Sequence, residues 1–167
     1  MATNPYAAPR AEVSDVHTEE TQPVRLWSAS GRVGRLRYLA YATGATLIAG
    51  CFVGLLTALL GTAAAAVITI IAYVVLTVFS VLLMIQRSHD MDWSGWTILL
   101  AIIPLVALIW LLKAGTQGPN TYGPPPPPNT TAVKILGLLL PIICLIGLVA
   151  AIALPAYQQY VMRANGG

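Results

Sequence analysis

The chain has 167 residues, room for about one domain, with 57% hydrophobic residues, 9% charged residues and a mean hydropathy of +0.74. Nine basic and six acidic side chains cannot cover a water-soluble body of that composition, and a disordered chain needs low hydrophobicity, so both a soluble enzyme and a disordered protein are excluded. The formal charge of +3 does not point to nucleic acid, because five of the nine basic residues precede Tyr38, interleaved with four acids. No basic helix or aromatic reading surface follows them.

Residues 1–25 hold Pro5, Pro9 and Pro23 among scattered charges with no helical or strand period, the pattern of a disordered tail. They lack the apolar core of a signal peptide, so the first apolar run is expected to act as an uncleaved anchor. Between Arg37 and Arg87 lie 49 residues without a charge. One helix of that length would exceed ~70 Å, about twice the hydrocarbon thickness of a bilayer. Two spans are therefore expected, about 38–60 and 63–85, turning at Leu60-Gly61-Thr62. After the short polar turn Gln86–Asp92, a third uncharged run, Trp93–Leu112, is just long enough to cross, with Pro104 in its middle. The polar stretch Lys113–Lys134 follows, and in it a Pro-rich linker over 124–133 opens with Pro124 to Pro128, a stiff polyproline spacer of ~15 Å. A fourth run covers 135–156 and contains Pro141 and Pro155.

The expected fold is thus an all-α integral membrane protein with four transmembrane helices; the alternative makes Trp93–Leu112 a re-entrant hairpin turning at Pro104. With the N-terminus in the cytoplasm, four crossings leave seven basic residues inside and only Lys113 and Lys134 outside, the bias that orients membrane proteins.

No span contains Asp, Glu, Lys, Arg or His, which argues against an ion-coupled transporter or proton relay. His89, Asp90 and Asp92 form the one acid–base cluster. Catalysis there would need an activated nucleophile and a support for the base, and neither Ser88 nor Ser94 has the spacing for it. A structural role fits better: Asp92 or Ser94 caps the third helix. Arg32, Arg35 and Arg37 stand just before the first span, where each attracts anionic lipid headgroups by about 1 kcal/mol; a docking site for a soluble partner is the alternative. If Gly61-Thr62 turns the first two spans into a hairpin, Arg32 or Arg35 can pair with Asp90 or Asp92. Trp27, Trp93, Trp96 and Trp110 fall near span ends, as an interfacial belt would. The small residues Gly50, Gly54 and Ala58 on span one, and Gly147 and Ala151 on span four, suit close helix packing, against another span or a second copy. Cys51 and Cys144 lie in apolar runs and suggest neither a disulfide nor a metal site, and no cofactor is expected.

Three motifs in order carry a resemblance. Ser30-Gly31-Arg32-Val33-Gly34-Arg35-Leu36-Arg37-Tyr38 precedes span one, Arg87-Ser88-His89-Asp90-Met91-Asp92-Trp93-Ser94-Gly95-Trp96 joins spans two and three, and Gly115-Thr116-Gln117-Gly118-Pro119-Asn120-Thr121-Tyr122-Gly123 follows span three. Over residues 26–123 the chain resembles the bacterial inner-membrane family called domain of unknown function 805. One departure is Gln86-Arg87-Ser88, where the family commonly has paired arginines and Leu before His-Asp. The resemblance implies a multi-helix inner-membrane domain with these residues on the cytoplasmic face, and no particular reaction.

Residues 134–163, above all Ala153-Leu154-Pro155-Ala156-Tyr157, resemble the N-terminal helix of type IV pilins. Val133 and Leu138 stand where pilins have the processing Gly and the helix Glu, so the stretch reads as a pilin-like membrane helix put to another use. The expected function is that of a structural or interaction component of an envelope complex, not an enzyme. Its partners would be the bilayer, anionic headgroups and a membrane protein or second copy. A small transporter or channel component is the alternative.

Overall fold

The computed structural model describes residues 20–166, and the expected tail lies mostly outside them. The described residues are helical, with one isolated bridge between Asn120 and Gly123. Helix α1 is Arg35–Ala63 and α2 is Ala65–Asp90, both apolar and long enough to cross a membrane. A 3-10 helix, Gly95–Ile102, and the short α3, Pro104–Leu112, follow. Helix α4 is Thr131–Asn165, the third helix with the length and composition of a span.

The turn between α1 and α2 falls at Gly61, near the end of α1; its non-helical backbone (φ 78°, ψ 169°) is one that a residue with a β-carbon rarely adopts. The chain doubles back there. Ala45, Ile48 and Phe52 on α1 and Ile71, Val75 and Phe79 on α2 line one apolar groove of about 450 Å³, and the Val33 amide reaches the Gln86 carbonyl at 3.2 Å. Along the two helices, Thr46, Thr57, Thr69 and Thr77 each donate to the carbonyl four residues earlier, which satisfies their hydroxyls within their own helix.

The described residues contain three helices with the length and composition of a span, not four. Residues 93–112 break at Ile103 (φ −89°, ψ 112°) into pieces of 8 and 9 residues. Pro104 is the cause: its ring excludes the preceding residue from helical geometry, and it has no N–H to give. Each piece rises only ~15 Å, half a bilayer. The segment folds back on itself instead, and the Trp93 and Trp110 rings meet edge-on at 5.9 Å, with the Lys113 ammonium 3.9 Å over the Trp93 ring. Trp110 is therefore fully buried and leaves the expected belt, while Trp27 and Trp96 stay exposed.

The proline run is not a free spacer. Proline carbonyls have no N–H competing beside them, and they accept here from donors elsewhere in the chain. Gln22 donates to Pro124 and Pro125 at 2.7 and 3.1 Å, and Arg37 donates to Pro128 at 2.9 Å. Gln22 and, through Gln86, the Arg25 carbonyl are thereby bonded to the rest of the chain.

Helix α4 starts with Thr130 as its cap, the hydroxyl accepting from the Val133 amide. It crosses α1 where Gly137 packs on the Leu36 carbonyl and side chain, a site with no room for a β-carbon, and Gly44 faces Leu136 at 3.9 Å. The expected small-residue positions make no such contact within the chain. Gly50, Gly54 and Gly147 have nothing within 4 Å of a would-be β-carbon, and Ala58 and Ala151 are exposed. Helix α4 touches α1 only in its first turns and then departs, so these residues never meet within the chain.

Candidate functional site

The polar ends of the hairpin gather into one buried cluster. Gly31–Gly34 leads into α1, and Gln86–Asp90 forms the last turn of α2. The Met91 amide closes α2 on the Ser88 carbonyl, and Asp92 takes a left-handed backbone (φ 59°) that Asp tolerates. This bend turns the chain into the Trp93–Leu112 segment, which folds back and delivers residues 113–123 to the same place.

Asp90 is the hub. Its carboxylate accepts from Arg32 at 3.2 Å and from Arg87 at 2.7 Å, and all three side chains are buried. Two guanidinium groups on one carboxylate leave a positive excess, which backbone carbonyls take up. Arg32 donates to Gly118 at 2.8 Å, Gly123 at 3.0 Å and Thr116 at 2.7 Å. Arg87 donates to Trp110 at 2.9 Å and to Lys113. The fixed fork of arginine suits this, because each nitrogen finds its own acceptor. The site needs Gly115: a β-carbon there would strike the Asp90 carboxylate.

His89 stacks on Tyr122, centroids 3.8 Å apart and planes 7° from parallel. Its Nδ1 faces the Gly31 carbonyl at 3.3 Å, so that nitrogen carries the proton. Asn120 donates to the His89 carbonyl at 2.8 Å. Asp92 is exposed and accepts from the Thr121 amide at 3.2 Å. It does not cap the next helix; Ser94 does, accepting from the Trp96 amide. Gly95 lies close to Ile85 and His89, while the Trp96 side chain is 80% exposed.

Of the three leading arginines, Arg32 is buried in the cluster and Arg37 is buried against Pro128. Arg35 is exposed and donates to the Leu112 carbonyl at 2.9 Å. Of the three arginines expected at the lipid headgroups, only Arg35 is exposed. The sequence reading missed several members: Gln86, whose amide reaches the Arg25 and Ser28 carbonyls; Ser88, which accepts from the Trp110 indole at 2.8 Å; and Thr116, Asn120 and Tyr122. The last three belong to the 115–123 motif, whose polar, glycine-rich makeup marked a loop but not its destination.

Among the described residues no group of three or more His, Cys, Asp or Glu is placed to hold a metal ion. The arrangement joins four segments by buried, charge-assisted bonds, and the donors of Arg32 and Arg87 are committed to it.

A family described as "Protein of unknown function (DUF805)" matches residues 26–124, which span every part of the cluster. Over 45 residues the chain is 42% identical to "Inner membrane protein YhaH" of Escherichia coli (strain K12), covering 25% of this chain and 37% of that protein. The protein of the same name from Escherichia coli O157:H7 matches equally. The matched segment thus spans little more than a third of these curated relatives. No solved structure matches.

Proposed function

The chain belongs to the DUF805 family, and from that premise we propose that it is a multi-pass bacterial inner-membrane protein acting as an interaction component of an envelope complex. Helix α4 offers the binding element. The observation that carries this reading is the solvation of α4: it is 35 residues long, buried only at Val133 and Gly137, and exposed almost all round beyond Leu140. A helix satisfies its own backbone in lipid and needs no partner there to persist. Its apolar circumference is then free to receive another helix, through small positions such as Gly147 and Ala151. The buried cluster supports the same reading, since its arginines hold loops and helices together. The inner-membrane location draws on the name of the matched E. coli relative.

Orientation is part of the proposal. The contacts of Arg32 with Thr116, Gly118 and Gly123 support a topology in which residues 113–129 share the membrane face of the start of α1. Among the described residues seven basic side chains then share that face and Arg163 alone lies at the far end of α4. The charge asymmetry is sharper than four crossings would give, and it favours that face as cytoplasmic.

The native Cys144, exposed on α4, provides the test. In a Cys51→Ser background, thiol cross-linking in intact membranes should trap α4 against a second copy or another membrane protein, and Gly147→Trp should abolish the product. Recovery of uncross-linked monomer alone would overturn the proposal.

A further inference from the structure

A recess of about 410 Å³ opens between the first turns of α1, the end of α3 and the residue before α4's cap, lined by Arg35, Leu36, Leu39, Leu111 and Asn129. Its composition is split: a cation and an amide stand over three leucines. Among the described residues Arg35 has one hydrogen bond, Nη1 to the Leu112 carbonyl, which fixes the guanidinium at the recess and leaves its other nitrogens to a ligand.

We propose that this recess binds an anionic phospholipid, with the headgroup phosphate on Arg35 and Asn129 and the upper acyl chain on Leu36, Leu39 and Leu111. Charge complementarity selects the headgroup: among the described residues this face carries seven cations against Glu20, Asp90 and Asp92, and the guanidinium fork matches phosphate oxygens. Height selects the lipid. Arg35 is the first residue of a membrane-length helix, so the recess lies where phosphates meet hydrocarbon. The leucine floor distinguishes the ligand from free phosphate, which gains nothing from apolar contact. The inference rests on the membrane reading above but not on any protein partner.

The test is native mass spectrometry of the full chain in neutral detergent, with dioleoyl-phosphatidylglycerol, dioleoyl-phosphatidylcholine or inorganic phosphate added separately. Phosphatidylglycerol should be retained one-to-one and in preference to phosphatidylcholine. Arg35→Gln should lower its retention about fivefold, the scale of one arginine near an anionic surface. Arg163→Gln, an equal charge loss at the far end of α4, should leave retention unchanged. Leu111→Trp fills the recess while keeping Arg35 and should also release the lipid, so a poorly folding Arg35 variant does not leave the matter open. Equal retention by either recess variant, equal binding of phosphatidylcholine, or displacement by inorganic phosphate would overturn the assignment. Loss of α4 cross-linking with the lipid adduct intact would count only against the partner reading.

Discussion

Arg32 and Asp90 lie 58 positions apart in the chain and meet at 3.2 Å, both buried. The contact closes the α1–α2 hairpin at the end opposite Gly61 and centres the bonds that recruit residues 110–123. A buried carboxylate compensating two guanidinium groups is costly to remove, since two charges are left without a counter-ion.

Asp90→Ala should therefore cost about 3–5 kcal/mol of stability in detergent, against about 1 kcal/mol for the exposed Asp92→Ala. Thermal unfolding followed by circular dichroism checks the ranking. Combining Arg32→Gln with Asp90→Asn should cost less than the sum of the two single changes, because their interaction is lost only once. Additive losses would mean that the pair contributes no coupling.

Gly115→Ala should destabilise by about 1–3 kcal/mol, since its β-carbon has to displace the Asp90 carboxylate. Gly50→Ala and Gly54→Ala meet open space and should leave stability unchanged or raise it by up to about 1 kcal/mol through helix propensity. Melting temperatures of the three variants in one detergent separate these outcomes.

Topology reporters fused after residues 25, 61, 90, 124 and 167 should read inside, outside, inside, inside, outside. The third and fourth positions agree because Thr116 bonds the Asp90 backbone at 2.8 Å. An outside result at 124 with an inside result at 167 would restore four crossings.

The pilin-like helix should escape processing. Val133 and Leu138 replace the Gly and Glu of the pilin pattern, and Val133 is buried in the first turn of α4. Expressed beside an active prepilin peptidase, the protein should keep its full mass by intact mass spectrometry. A stable species beginning at Lys134 would refute this.

The membrane character, the two spans on either side of Gly61 and the long apolar helix after the proline run were legible in the sequence. Each follows from a local property: a charge-free run longer than one bilayer, a residue free to adopt positive φ, a stretch of mean apolarity. The three polar motifs were legible as well, and hairpin geometry was enough to bring Arg32 or Arg35 within reach of Asp90 or Asp92, though not to choose the pair Arg32–Asp90. Tertiary structure decided how Trp93–Leu112 is shaped. Twenty apolar residues are long enough to span, but the break at Pro104 leaves two short pieces, and the meeting of Trp93 with Trp110 turns them back. It also decided which arginines stay exposed. Arg32, Arg35 and Arg37 are alike in charge and neighbourhood, and only the return of residues 112–128 buries two of them and leaves Arg35 outside. Which small residues meet was equally non-local, because helix contact depends on where two axes cross: here at Gly137 and Leu36, not along the stripes that each helix carries by itself.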